Sequence, residues 1–230
     1  EYGAEVEIIN YYRKNTLEEN LVKSRLEKSK IFSKNFFTKI IGRIVIGKSV
    51  KKQCKVFNEF LSKNIKMTKK YSSYEELKQD YPIADIYCTG SDQVWNSDWN
   101  EGIDKAFFLD FVPDNKRKIA YAASFGKEKL DEFEIEETRK KKKKYDAISV
   151  REDTAVQIIK NLGINNVVQV IDPTLMLNSD EWKKLVCNIK EKSNYILVYQ
   201  LNTNNPNFDE YVKKLSKLKG IPVVRLSNVI

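Results

Sequence analysis

Between residues 83 and 172, short apolar runs alternate with amphipathic stretches, and this alternation constrains the fold more than any other feature of the chain. Ile83–Cys88, Lys118–Ser124, Ala147–Val150 and Val167–Ile171 read as strands, and Phe107–Val112 is strand-like. Glu75–Gln79 reads as a short helix, and a charged helix is expected from about Asp131 to Lys144. Asp153 is placed to cap the next helix, whose apolar positions Val156, Ile159 and Leu162 precede a terminating Gly163. Strand–helix alternation predicts an α/β fold with a largely parallel sheet.

In such a sheet the carboxyl ends of the strands share one edge, where α/β proteins bind their ligands. Successive strands deliver polar sets to that edge: Ser91/Asp92, Ser124/Gly126, Arg151/Glu152 and Asp172. The loop Gly90–Asn96 gathers Ser91, Asp92, Gln93 and Asn96 around Trp95, a set that packing alone does not require. Its bland reading is an Asx-type turn with the tryptophan plugging the sheet edge. Arg151 follows a strand and precedes a helix, where first-turn amides and the helix dipole favour an anion. A guanidinium adds a fork for phosphate or carboxylate, while the competing reading pairs Arg151 with Glu152 or Asp172. Asp92, Glu152 and Asp172 are candidate acids or bases, and each could instead cap a turn or orient Arg151.

The flanking segments read differently. Glu5–Asn10 alternates in strand fashion, with Val6 and Ile8 on one face and no preceding element to lie beside. Residues 13–70 read as a basic helical insertion, with Val56, Phe57, Phe60 and Leu61 as an apolar stripe. Within it, residues 31–50 mix phenylalanine and isoleucine with lysine and arginine. The favoured reading packs them on their own domain; the alternative is a peripheral contact with anionic lipid. The opening domain is expected over residues 1–190. A second domain is expected to begin at 191–230, with a strand at Tyr195–Tyr199, a helix ended by Gly220 and a strand from Pro222, and to be truncated there.

The net charge of +9 invites a nucleic-acid reading. Much of the excess lies in Arg139–Lys144, at the end of a helical stretch where cations suit the dipole, so a solvated helix terminus accounts for it and no nucleic-acid partner is expected. No apolar run approaches the roughly 18–20 residues that span a bilayer. Cys54, Cys88 and Cys187 are scattered and read as reduced cytosolic thiols, not as a disulfide frame or zinc site. No P-loop, dinucleotide fingerprint or metal-ligand cluster occurs, so no cofactor or metal is expected. The chain has no histidine and begins with Glu1, which reads as a piece of a longer protein.

Ala84-Asp85-Ile86 leading into Gly90-Ser91-Asp92-Gln93-Val94-Trp95-Asn96 closely resembles the polysaccharide pyruvyl transferase family. So do Phe108-Leu109-Asp110-Phe111, Ile119-Ala120-Tyr121-Ala122-Ala123-Ser124-Phe125-Gly126, Ser149-Val150-Arg151-Glu152 and Ile171-Asp172-Pro173-Thr174-Leu175, in the family's order. Glu5–Tyr11 resembles the family's second strand. The resemblance implies a GT-B-like fold of two Rossmann-like domains. It also implies transfer of the pyruvyl group of phosphoenolpyruvate, the donor substrate, onto sugar hydroxyls of a cell-surface polysaccharide or its precursor. Arg151 matches the arginine of an Arg-Glu motif and becomes the candidate donor clamp. Ser91, Gln93, Asn96 and Ser124 become candidate substrate contacts, and Asp92, Glu152 and Asp172 candidate catalytic groups. The family's opening strand and its Ser-Phe-His-Gly motif have no counterpart in these residues. Two other readings stand beside this one: a GT-B glycosyltransferase using a nucleotide sugar, and a non-catalytic carbohydrate- or anion-binding module. A cytoplasmic enzyme, peripheral to the inner membrane face if residues 31–50 touch lipid, is the expected setting.

Overall fold

The structure is a computed structural model that describes residues 3–13, 16–29, 31–186, 194–200 and 205–226. Its contacts divide the chain into two units, Glu1–Ser179 and Asp180–Ile230. The expected boundary at 190/191, and Cys187, lie outside the described residues.

The first unit begins with strand β1 (Ile8–Tyr11), followed by helix α1 (Glu18–Lys28), helix α2 (Phe36–Asn64) and strand β2 (Met67–Tyr71). Helix α3 (Tyr74–Gln79), strand β3 (Ile86–Thr89), helix α4 (Ser97–Asn100), strand β4 (Arg117–Ala123) and helix α5 (Glu132–Lys142) come next. Strand β5 (Ala147–Val150), helix α6 (Asp153–Asn161) and strand β6 (Val167–Gln169) complete the series, and helix α7 (Ser179–Lys183) begins at the boundary between the two units. Strands β3-β4-β5-β6 form a parallel four-stranded sheet in that order, flanked by helices, as a Rossmann-like α/β fold requires. The register sets Thr89 beside Ala120, and Val150 beside both Ala123 and Gln169, so the strand ends are aligned along one edge.

Local chemistry explains the helix limits. Ser73 caps α3 by accepting from the Glu76 amide, and Asp131 and Glu134 form a reciprocal capping box on α5. Helix α6 buries Ala155, Ile158 and Ile159 against the sheet, and Gly163 (φ 80°) turns the chain out of it. One core cluster joins α6 and β5 to Trp95, Phe108 and Phe125. A second joins Tyr71, Leu77, Tyr87, Leu109 and Phe111.

Four expectations are corrected. First, residues 13–70 are not helix throughout but a helical hairpin followed by β2, which pairs in parallel with β1 in a separate two-stranded sheet. Second, Phe107–Val112 is a chain of tight turns, with Leu109 at φ 53°. Phe108, Leu109, Phe111 and Val112 are all buried, and an apolar run reads alike whether a strand or a buried turn places it. Third, Glu152, not Asp153, is the N-cap residue of α6. Fourth, Arg139–Lys144 is not wholly solvated. Lys141 is buried and pairs with Asp110 and Glu137, and Lys142 is buried beneath Trp95. Helix α5 has few apolar residues, so lysine stems cover the core on that side.

In the second unit, strand β7 (Ile196–Tyr199), helix α8 (Pro206–Lys219) and strand β8 (Val223–Leu226) form a parallel βαβ unit. Asn205 caps α8 and Gly220 ends it at φ 65°.

Candidate active site at the carboxyl edge

The loop after β3 is laid onto the end of β4. Asp92 makes an isolated parallel bridge to Ala123, the Ser124 amide donates to the Asp92 carbonyl at 3.1 Å, and the Trp95 amide donates to the Ser124 carbonyl at 3.2 Å. Asp92 adopts a left-handed conformation (φ 71°) that short polar residues tolerate best, and this turns its carboxylate outward. Trp95 anchors the loop: it is buried against Phe108 and Phe125, and its indole N–H donates to the Phe107 carbonyl at 3.1 Å. Asn96 is buried too. Its side-chain oxygen caps α4 through the Asp98 amide at 3.0 Å, and its nitrogen donates to Gln93 Oε1 at 2.7 Å. Gly126 (φ 59°) passes so close that a Cβ there would lie 2.4 Å from Gln93 Oε1 and 2.8 Å from Asn96 Nδ2. Lys127 then ties the assembly to α5, donating to Ser97 at 2.5 Å and Asp131 at 2.8 Å and pairing with Asp98 at 2.9 Å.

Arg151 leaves β5 on the same edge. Its amide donates to the Ala123 carbonyl, and its own carbonyl accepts from Gln169, so its backbone is fixed by both neighbouring strands. Its guanidinium meets three carboxylates. Nη1 donates to Asp172 Oδ2 at 2.5 Å, while Glu152 Oε1 lies 3.5 Å from Nε and Asp92 Oδ1 lies 3.6 Å from Nη2. Asp172 is committed on both oxygens, since Oδ1 accepts from the Thr174 amide and hydroxyl. Those Thr174 bonds and Arg151 lower its pKa to about 2. A carboxylate held this way stays ionised and suits orienting a cation better than donating a proton. By contrast, Arg151 Nε and Glu152 Oε2 are both buried without a hydrogen-bond partner. Nε faces Glu152 Oε1 at 3.5 Å, too long for a hydrogen bond, so an anionic ligand that displaced this carboxylate would give the guanidinium a better partner. Among the described residues, no group of three or more histidine, cysteine, aspartate or glutamate side chains is arranged to hold a metal.

A second feature draws on three strand exits at once. Tyr11 ends β1 and Arg13 follows it, Tyr74 and Glu75 follow β2, and Asn100, Glu101 and Ile103 to Lys105 follow the β3 loop; together they line a cavity of about 330 Å³. Tyr11 donates to Asp104 at 3.1 Å, and Arg13 donates to Asn100 at 2.7 Å while stacking over Phe107. Burial raises the Asp104 pKa and that of Tyr11. Burial, then Asp110, raises the pKa of Tyr74 to about 12, so its hydroxyl remains a donor. Phenol rings beside amide and carboxylate groups suit a polyhydroxylated ring, whose faces are apolar and whose edges both donate and accept.

The chain matches the model of the family Polysaccharide pyruvyl transferase over residues 1–230. It belongs to that family. Neither the curated proteins nor the solved structures gave a match. As a member of the family the protein is a transferase of polysaccharide biosynthesis, and pyruvyl transfer is the chemistry its site has to serve.

Of the residues expected from sequence, Arg151, Glu152, Asp172 and Asp92 are brought together in one charged cluster. Gln93, Asn96 and Ser124 lie in the interlocked loop beneath it, with Ser124 fully buried and its hydroxyl accepting from the Gly126 amide. Ser91 is half-buried beside Asp92. Sequence reasoning missed the pocket residues Tyr11, Arg13, Asn100 and Asp104. The signal was present: Tyr11-Tyr12-Arg13 is a polar set leaving a strand, as on the other four strands.

Proposed function

We propose that this pyruvyl transferase takes the pyruvyl group of phosphoenolpyruvate and places it on hydroxyls of a cell-surface polysaccharide or its precursor, forming a pyruvate ketal and releasing phosphate. The observation that carries the reading is the Arg151 guanidinium at the sheet edge, held firmly by Asp172 on one side and only by long ion pairs to Glu152 and Asp92, 3.5 and 3.6 Å, on the other. The Nε–Nη2 edge of Arg151 would hold the donor's carboxylate or phosphate, with Asp172 fixing the guanidinium from the far side and the α6 amides adding a favourable dipole.

In the reaction the enol methylene takes up a proton and becomes a methyl group, and one sugar hydroxyl adds to the carbon bearing the phosphate as its own proton leaves. The C–O bond to phosphate breaks, and a second hydroxyl closes the ketal as its proton leaves. Glu152 is the candidate base for an attacking hydroxyl, since its carboxylate lies beside the donor clamp. Asp92, on the exposed side of Arg151, is the candidate for steering the acceptor. The Tyr11–Asp104 pocket is the candidate seat for an acceptor sugar ring. The parallel β7–α8–β8 unit supports a second Rossmann-like domain, as a GT-B-like enzyme would have. The free thiols Cys54 and Cys88 support a cytoplasmic setting.

The test incubates the full-length gene product with phosphoenolpyruvate and a panel of sugar acceptors and reads phosphate. Acceptor-dependent release is expected. Turnover of a nucleotide sugar, with none of phosphoenolpyruvate, would overturn the reading.

A further inference from the structure

The α1–α2 hairpin carries a surface that the transfer chemistry does not use. Helix α2 packs on α1 through Gly42, Ile46 and Val50 against Leu26 and Phe32, and a Cβ on Gly42 would lie 2.5 Å from Phe32. Phe36, Ile40 and Ile44 form one row at four-residue spacing, and Phe37, Ile41 and Val45 form the next, on the side turned away from that contact. All six are exposed, Phe36 by 72% and Phe37 by 77%. The first three turns of α2 are thus apolar nearly all round, a pattern that water does not favour. Ile31, in the turn joining the helices, is 68% exposed and extends the same tip.

Charge identifies what covers it. Residues 28–58 hold eight lysines and one arginine, and no aspartate or glutamate. Beyond the apolar rows, Lys48, Lys51, Lys52 and Lys55 continue the outward side of α2 and are exposed. An apolar tip followed by a basic collar fits the interface of an anionic bilayer, where side chains enter the acyl boundary and lysines meet the headgroups. A second copy docked by the same face would bring two like-charged collars together. A nucleic acid would match the lysines and leave the phenylalanines and isoleucines unused. We propose that the tip of the α1–α2 hairpin is a docking element for an anionic membrane surface. Among the described residues no helix is long and apolar enough to cross a membrane, and the contact is with the surface.

The test is vesicle flotation of the full-length protein with phosphatidylcholine, with and without phosphatidylglycerol. Binding to the anionic vesicles alone, released by salt, is expected. Phe37→Glu with Ile41→Glu should abolish it, and Lys48→Ala with Lys51→Ala and Lys52→Ala should weaken it by more than about tenfold. Circular dichroism should not change, because these side chains face solvent. Absence of binding by the unaltered protein, or equal binding to both vesicle types, overturns the proposal without recourse to any variant. So does a lipid-free dimer that the paired glutamates dissociate, or binding of duplex DNA by a protein that ignores the vesicles.

Discussion

Arg151 and Asp172 lie just beyond the ends of adjacent strands, and Nη1 of the first donates to Oδ2 of the second at 2.5 Å. Parallel register brings them to the same edge, and the Thr174 amide and hydroxyl hold the carboxylate from below. Asp172 therefore sets the direction of the guanidinium, while Nε and Nη2 keep only longer ion pairs to Glu152 and Asp92. Asp172→Asn should raise the KM for phosphoenolpyruvate more than it lowers kcat, since the clamp is retained and loosened. Steady-state phosphate release at varied donor concentration reads this directly.

The same pair makes stability depend on acid. The folded-state pKa of Asp172, about 2, lies below its ordinary 3.8, so the folded protein binds fewer protons at this site than the unfolded chain. The stabilisation is fully present above about pH 4 and is lost as pH falls toward 2. Asp172→Asn removes that dependence. The difference in urea midpoint between wild type and Asp172→Asn should be larger at pH 6 than at pH 3; equal differences would mean that Asp172 is not held as an ion.

Arginine at 151 supplies a planar edge that lysine lacks. Arg151→Lys preserves the charge, but it should still lower kcat/KM for phosphoenolpyruvate by about tenfold or more, the order expected when a charge-assisted hydrogen bond is lost. Restoration of wild-type kinetics by lysine would reduce the role of Arg151 to charge alone.

Gly126 and Gly163 allow the backbone cost to be separated from contact. Both have positive φ, 59° and 80°, but a Cβ on Gly126 meets Gln93 and Asn96 whereas one on Gly163 meets nothing within 4 Å. Gly163→Ala should cost about 1–2 kcal/mol, the left-handed penalty. Gly126→Ala should add about 1–3 kcal/mol of overpacking and loosen the loop under Asp92. Chemical denaturation of the two variants gives the comparison.

The legible part of this protein is its four-stranded sheet. Strands β3 to β6 are short apolar runs that each end in polar residues, and that pattern alone places Arg151, Glu152, Asp172 and Asp92 on one edge. Strand β2 was hidden because Met67-Thr68-Lys69-Lys70-Tyr71 lies in a two-stranded sheet and turns its lysines to solvent. The Tyr11–Asp104 contact spans 93 residues, and no local pattern predicts it. Phe107–Val112 misled because burial, not extension, selects its residues. Lys142 misled in the opposite sense: a run of charge reads as a solvated surface, and only tertiary packing reveals that one member faces inward.

Lys142 supplies the last prediction. Its ammonium nitrogen lies 2.6 Å from the Trp95 ring centroid and 4.2 Å from that of Phe108, fully buried and without a hydrogen-bond partner. Burial with no carboxylate in contact disfavours the charged form and lowers its pKa well below the ordinary 10.5. Below the unfolded value the unfolded chain takes up a proton there more readily than the folded protein does, which destabilises the fold. Stability from this group rises with pH up to the unfolded value. Lys142→Met retains the stem and removes both the proton penalty and the unpaired donor. It should stabilise the protein at pH 7 by about 1–3 kcal/mol, with a smaller gain at pH 9, as read from urea midpoints at the two values. Loss of stability at pH 7 would instead show that the lysine is charged and held by the Trp95 face, as a cation–π contact.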